Sequence, residues 1–169
     1  MKSVLISIQP KWCELIASGK KTIEIRKSKP KLETPFKVYI YCTKDEPLYK
    51  SGEKFWCKKA GDFGNGKVIG EFVCDDIVAA RTGSYCKIPI NEAMIEVDDL
   101  LDYADQKPIY GWHISDLKIY DKPKDLSEFI KPCDTPFQCD KCNELVEHFG
   151  CGRTITRPPR SWCYVKSEE

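Results

Sequence analysis

Nowhere in this chain of 169 residues does an apolar run approach the roughly 20 residues that a membrane-spanning helix requires. The short apolar run after the initiator Met, Val4 to Ile8, also falls well below the length of a signal-peptide core. No membrane partner and a cytoplasmic location are therefore expected. Charge of one sign is missing too: 27 basic against 26 acidic side chains leave a formal +1, which argues against coating nucleic acid by bulk electrostatics. Histidine is scarce, with two in the chain. Internal repeats, low-complexity tracts and the GxxxxGK[ST] phosphate loop are absent.

What is present is ordinary globular composition, 41% hydrophobic and 31% charged, over the length of one domain with a real core. Residues 1–169 are accordingly read as a single domain. The near-neutral total hides a local asymmetry. Residues 11 to 31 hold seven Lys or Arg against two Glu, a local +5, while residues 91 to 108 hold six acids against one Lys, a local −5. Each segment is either a solvated face or a surface for a partner of opposite sign, and the basic one suits an anionic or phosphate-bearing ligand.

The apolar pattern predicts a buried strand at Ser3 to Ile8, then a helix opened by Pro10 with Trp12, Leu15 and Ile16 on one stripe and Gly19 at its end. Thr22 to Lys27 alternates as a half-buried strand, and so does Lys37 to Thr43, with Val38, Ile40 and Cys42 opposite Tyr39 and Tyr41. Gly61 to Gly66 reads as a turn, and Lys67 to Arg81 as one bent strand or two. Residues 91 to 105 have helical spacing through Val97, Leu100, Leu101 and Ala104, with acids outward. Ile109 to Tyr120 is strand-like, Asp125 to Ile130 a helical turn, and Ser161 to Lys166 a terminal strand. The class implied is α+β, mostly β: a small barrel with two or three flanking helices.

The chemistry concentrates in Gly19-Lys20-Lys21-Thr22-Ile23-Glu24-Ile25-Arg26. Glu24 and Arg26 share a strand face by the period of two, and Lys21 at the preceding turn reaches toward Glu24. Burying such a cluster is costly unless its charges pair, so it is either an ion-pair network on an exposed strand or the lining of a cleft that admits a polar ligand. In a cleft, an amine beside a carboxylate is a usable acid/base or orienting pair.

These residues carry a resemblance. Gly19, Lys21, Glu24 and Arg26 reproduce the GxKxxExR pattern of the ASCH family, within the PUA-like superfamily of small β-barrels. The surroundings resemble that family as well: Leu5, Ile8, Trp12 and Ile16 of the opening strand and helix, Val38-Tyr39-Ile40-Tyr41, and Val68-Ile69-Gly70-Glu71-Phe72. Gly111-Trp112-His113-Ile114 and Pro158 to Val165 are similar to a bacterial and phage subgroup of small ASCH proteins. The resemblance implies a PUA-like barrel with a cleft beside the motif that binds RNA or a modified nucleoside or nucleotide. Some small ASCH proteins are amidohydrolases of acetylated cytidine nucleosides that use a Lys, a Thr and a Glu, and another type has been assigned ribonuclease activity. Lys21 matches the amidohydrolase Lys, whereas Glu24 stands at its Thr position. An enzyme reading, with Lys21 and Glu24 catalytic, is thus the alternative to a binding module.

Stacking holds isolated bases, so Tyr39, Tyr41, Trp112 and Trp162 are candidate stacking surfaces, each with core packing as the other reading, and Tyr41, whose alternation turns it away from the Val38 and Ile40 face, joins Trp112, Trp162, Lys21, Glu24 and Arg26 as candidate ligand contacts. His113 is either a structural residue or a proton carrier near the motif. Arg153, Arg157 and Arg160 add positive charge that holds a phosphate or is simply solvated. A protein-interaction role for the acidic helix is a third reading, with no particular protein partner implied.

Ten cysteines divide into two groups. Cys13, Cys42, Cys57, Cys74, Cys86 and Cys163 are scattered among apolar or aromatic neighbours and read as small core hydrophobes. Cys133, Cys139, Cys142 and Cys151 crowd into a turn-rich, Cys-rich insertion at 131–156, before the last strand, with spacing C-x5-C-x2-C-x8-C. Four thiolates suit structural tetrahedral Zn2+, with His148 an alternative to Cys151, and the other readings are a redox CxxC or unrelated free thiols.

Overall fold

The computed structural model describes residues 2–44, 66–81, 83–132 and 154–166. The turn at 61–65, Cys57, Arg153, His148 and the cysteines Cys133, Cys139, Cys142 and Cys151 lie outside the described residues.

Strands dominate, with helices at the edges. In chain order the elements are β1 (Lys2–Ile8), α1 (Pro10–Ala17), β2 (Ile23–Arg26), β3 (Phe36–Cys42), β4 (Lys67–Cys74), β5 (Ile77–Ala80), α2 (Ile90–Ala93), α3 (Val97–Ala104), β6 (Ile109–His113), β7 (Ser115–Lys124) and β8 (Trp162–Lys166), with short 3-10 turns at Tyr85–Lys87 and Leu126–Glu128. They form a five-stranded sheet, β7-β4-β3-β1-β8, and a three-stranded sheet, β2-β6-β5. β1 runs parallel to β3, with Val4 opposite Val38, and antiparallel to β8.

The continuous apolar character of β1 and β3 follows from burial on both faces. On one face Val4, Ile6, Val38, Ile40 and Phe72 pack with Ile16 of α1 and Trp112 of β6. On the other, Leu5, Tyr39, Tyr41 and Val165 pack under Phe129 and Ile155. Tyr39 and Tyr41 therefore belong to a second core layer instead of a polar strand face. A third cluster, Ile23, Ile25, Leu100, Ala104 and Ile109, holds α3 against the small sheet.

Several boundaries sharpen. Lys67 to Arg81 is two strands, and Ile109 to Tyr120 is also two, separated at Ile114. The acidic helix divides at Met94, which adopts φ 53 and ψ 45, so the chain turns an elbow between α2 and α3. Gly70 lies where β7 crosses β4 closely: a Cβ there would sit 2.4 Å from the Lys118 carbonyl oxygen, so no other residue fits without moving backbone. Cys13, Cys42 and Cys74 are buried thiols outside any disulfide, as core hydrophobes should be. Burial pushes the Cys74 thiol up to about 12, which removes it as a nucleophile. Cys86 departs from that expectation, because its place in the Tyr85–Lys87 turn leaves it exposed.

Candidate functional site: the cleft over Lys21, Glu24 and Arg26

Three backbone features build the site. Gly19 takes φ +73 after α1, and the amides of Lys20 and Lys21 both donate to the Leu15 carbonyl, which closes the helix and turns the chain into β2. β2 then pairs with β6, Glu24 opposite Trp112, so Ile23 and Ile25 enter the third core while Glu24 and Arg26 stay on the other face. That face is covered too: Lys21 and Glu24 are 4% and 5% exposed. The motif strand is thus buried on both sides, and its polar side lines a cleft of about 730 Å³.

The charges are held as a relay. Arg26 Nη2 lies 2.9 Å from Glu24 Oε1 and donates to the Ser7 carbonyl at 2.6 Å. Glu24 Oε2 is 3.5 Å from Lys21 Nζ, which donates to the Ala93 carbonyl at 2.6 Å and lies 4.9 Å from the centre of the Trp12 ring. One carboxylate therefore serves two cations, one buried and one partly buried. Burial lowers the Lys21 pKa from its ordinary 10.5, Glu24 opposes that shift, and Arg26 adds to it. The Nε of Arg26 is buried and has no hydrogen-bond partner among the described residues.

The opposite wall comes from the elbow and from the segment before β8. Ile95, Asp99 and Tyr103 line it on one side, and Pro158, Pro159 and Arg160 on another. The basic and acidic segments distinguished in the sequence thus meet across one cleft. Burial raises the Tyr103 pKa, and Lys27 Nζ stands 5.0 Å from the centre of its ring. Thr22 fastens the elbow through its amide to the Glu92 carbonyl at 2.9 Å.

Of the residues singled out in the sequence, the structure brings Lys21, Glu24 and Arg26 together and adds Arg160. The cleft forms without Tyr41, Trp112, His113 and Trp162. Trp112 is fully buried, with its ring edge-on to Phe36 at 5.8 Å. Trp162 packs on Trp112 at 6.1 Å and donates from Nε1 to Ser28 Oγ. Tyr41 lines a neighbouring cavity, and His113 Nδ1 pairs with Asp75 Oδ1 at 2.6 Å on β6. Tyr103 and Asp99 escaped sequence reading, although their i, i+4 spacing on a face of α3 other than that of Leu100 and Ala104 was available as a signal. Among the described residues, no group of three or more His, Cys, Asp or Glu side chains is placed to hold a metal ion, and no helix is long and apolar enough to cross a membrane.

A family model for the ASCH domain matches residues 6–123, about two thirds of the chain. The chain belongs to the ASCH family. Solved structures of an ASCH protein from Zymomonas mobilis are similar in fold. A Tyr-to-Phe mutant of it is 20% identical with a TM-score of 0.60, over 98% of this chain and 91% of that one. ASCH from Zymomonas mobilis without that change gives 20% and 0.59, over 97% and 87%. A Ser-to-Ala mutant gives 19% and 0.59, over 97% and 88%. No curated protein matches the chain. At such identity the likeness carries the PUA-like ASCH fold, while chemistry has to be argued from the site itself.

Proposed function

We propose that the ASCH cleft of this protein binds RNA or a modified nucleoside or nucleotide. The reading rests on one observation: a cleft of about 730 Å³, within the range typical of small-ligand sites, has the Lys21, Glu24 and Arg26 relay in its lining. Arg26 keeps a buried Nε–H without an acceptor, a cost of about 1–3 kcal/mol that a ligand carbonyl or phosphate oxygen would offset. Lys21 and Arg26 supply donors to such oxygens, and Glu24 accepts from a base edge. Tyr103 offers a ring for stacking at the rim. Titration calorimetry with a panel of nucleosides, nucleotides and short RNAs tests this. Binding that is lost or weakened in Arg26→Lys and Lys21→Met supports it, and binding unchanged in both ends it.

One observation favours a second, hydrolytic reading, directed at RNA or an acylated nucleoside. The Lys21 amine, its pKa lowered by burial, lies beside the Glu24 carboxylate in a cleft, an arrangement that suits proton transfer between the two and a substrate. Product analysis after incubation with those substrates separates the two readings. Turnover that disappears in Lys21→Met with binding retained makes the protein an enzyme.

A further inference from the structure

The motif cleft shares part of its lining with a neighbour. A second cavity of about 690 Å³ adjoins it, and Thr43 and Pro158 line both. The shared residues come from two chain segments that run past both spaces. One is the exit of β3, where Thr43 serves both cavities and Lys44 the second. The other is the stretch from Ile155 to Arg160: Ile155 and Thr156 line the second cavity, Pro159 and Arg160 the first, and Pro158 stands between.

That second segment is a fixed bar. Ile155 is 1% exposed, and its amide donates to the Phe129 carbonyl at 2.8 Å. At the other end Ser7 Oγ donates to the Pro159 carbonyl at 2.7 Å, and the Ser7 amide to the Ser161 carbonyl at 2.9 Å. Two consecutive prolines restrict φ between these anchors, so the wall common to both cavities is ordered before any ligand arrives. Ser7 is the same residue whose carbonyl receives Arg26, so the bar and the motif are tied to one point of β1.

The chemistry differs between the two cavities. The motif cleft carries the charged relay. Among the described residues the second cavity carries the neutral hydroxyl-bearing Tyr41, Thr43, Ser127 and Thr156, with one lysine, Lys44, whose stem lies across Gly66 where a Cβ would come within 2.7 Å of it. Asp125, also in the lining and largely exposed, is paired with Lys67 and caps the Leu126–Glu128 turn. Hydroxyl groups with one cation suit a ribose and its phosphate, whose 2′-OH both donates and accepts.

We infer that the ligand of this protein is a single-stranded RNA segment spanning at least two nucleotides, one seated over Lys21, Glu24 and Arg26 and its neighbour in the cavity lined by Thr43, Ser127 and Thr156. The inference rests on the nucleotide-binding reading of the motif cleft and specifies its ligand class. A lone nucleoside would fill one space and leave the other empty.

Titration calorimetry with the four ribonucleoside monophosphates and with mixed-sequence RNA of two and four nucleotides provides the test. Wild-type affinity is expected to rise by roughly tenfold or more from mononucleotide to oligomer, the scale of one additional seated base. Ser127→Glu and Thr156→Glu, each checked for folding by circular dichroism, are expected to abolish that rise, and the mononucleotide titration of the same variants reports the state of the motif cleft. Equal affinity for mononucleotide and oligomers overturns the two-nucleotide groove and leaves the cleft reading standing. A length gain that survives in both variants overturns the assignment of the second cavity. Failure of every probe to bind overturns both readings.

Discussion

Lys21 Nζ lies 2.6 Å from the carbonyl oxygen of Ala93, the last residue of α2, so the motif lysine is fastened to the elbow that carries the opposite wall of the cleft. This contact joins charge and architecture in one hydrogen bond. Burial lowers the Lys21 pKa from 10.5, and the sign of the stability effect follows. Between the lowered folded-state pKa and 10.5 the unfolded chain holds the proton and the folded chain does not, so stability rises with pH in that window. Urea midpoints of wild type and Lys21→Met, compared at about pH 7 and about pH 10, isolate the term, since other titrating groups are common to both. Wild type gains relative to the variant at the higher pH; a constant difference, or a loss, refutes the account.

Glu24 stands between the buried Lys21, at 3.5 Å, and the partly buried Arg26, at 2.9 Å. Glu24→Ala leaves both positive charges uncompensated, which is expected to cost about 3–5 kcal/mol of folding stability. Adding Lys21→Met to Glu24→Ala removes one of the stranded charges and recovers part of the loss. A double variant no more stable than Glu24→Ala would mean that the relay is not what the carboxylate stabilises.

Much of this was legible in the sequence, and the exceptions share a cause. Ile23 and Ile25 announced a strand with one apolar face, and Lys21, Glu24 and Arg26 of the GxKxxExR spacing lie together in the lining of one cleft. Period-two alternation cannot reveal what covers the other face, however. Tyr41 alternates away from Val38 and Ile40, and it is buried all the same because Phe129 and Ile155, distant in sequence, cover it. Trp112 adjoins the motif in register but faces the core between Phe36 and Trp162. Tyr103 shares a helix face with Asp99, but nothing local says what that face meets: it enters the site through the Met94 elbow, a left-handed turn at a residue with no glycine to signal it.

The cysteine spacing C-x5-C-x2-C-x8-C at Cys133, Cys139, Cys142 and Cys151 remains a proposal from sequence. About one zinc ion per chain is expected in purified protein, with loss of the metal in Cys139→Ser and Cys142→Ser. Elemental analysis reads this directly. Zinc-free wild type, purified without chelators, rules the knuckle out.

His113 and Asp75 form a pair outside the cleft, 2.6 Å apart and each partly exposed. The hydrogen bond from His113 lowers the Asp75 pKa below 3.8, so the stability it contributes is present above that value and is lost as pH falls through the lowered pKa. In His113→Gln the Asp75 carboxyl, followed by NMR, is expected to titrate closer to 3.8. Nucleotide affinity should be unchanged in that variant, since His113 does not line the cleft. A large loss of affinity would restore His113 to the site.

Tyr103 gives the sharpest test of what the rim does. It lines the cleft from α3, is 37% exposed, and has Lys27 Nζ 5.0 Å from its ring centre. If the ring is a stacking surface, Tyr103→Ala lowers affinity for a nucleotide by roughly tenfold or more, the scale of ~1–3 kcal/mol per stacked base, while Tyr103→Phe keeps it. If the hydroxyl is the contact instead, the two substitutions weaken binding alike. Because Tyr103 contributes its ring from a helix surface and Leu100 and Ala104 hold that helix in the core, neither change should shift the unfolding midpoint greatly. Affinity and stability measured on the same two variants therefore separate a ligand contact from a packing residue.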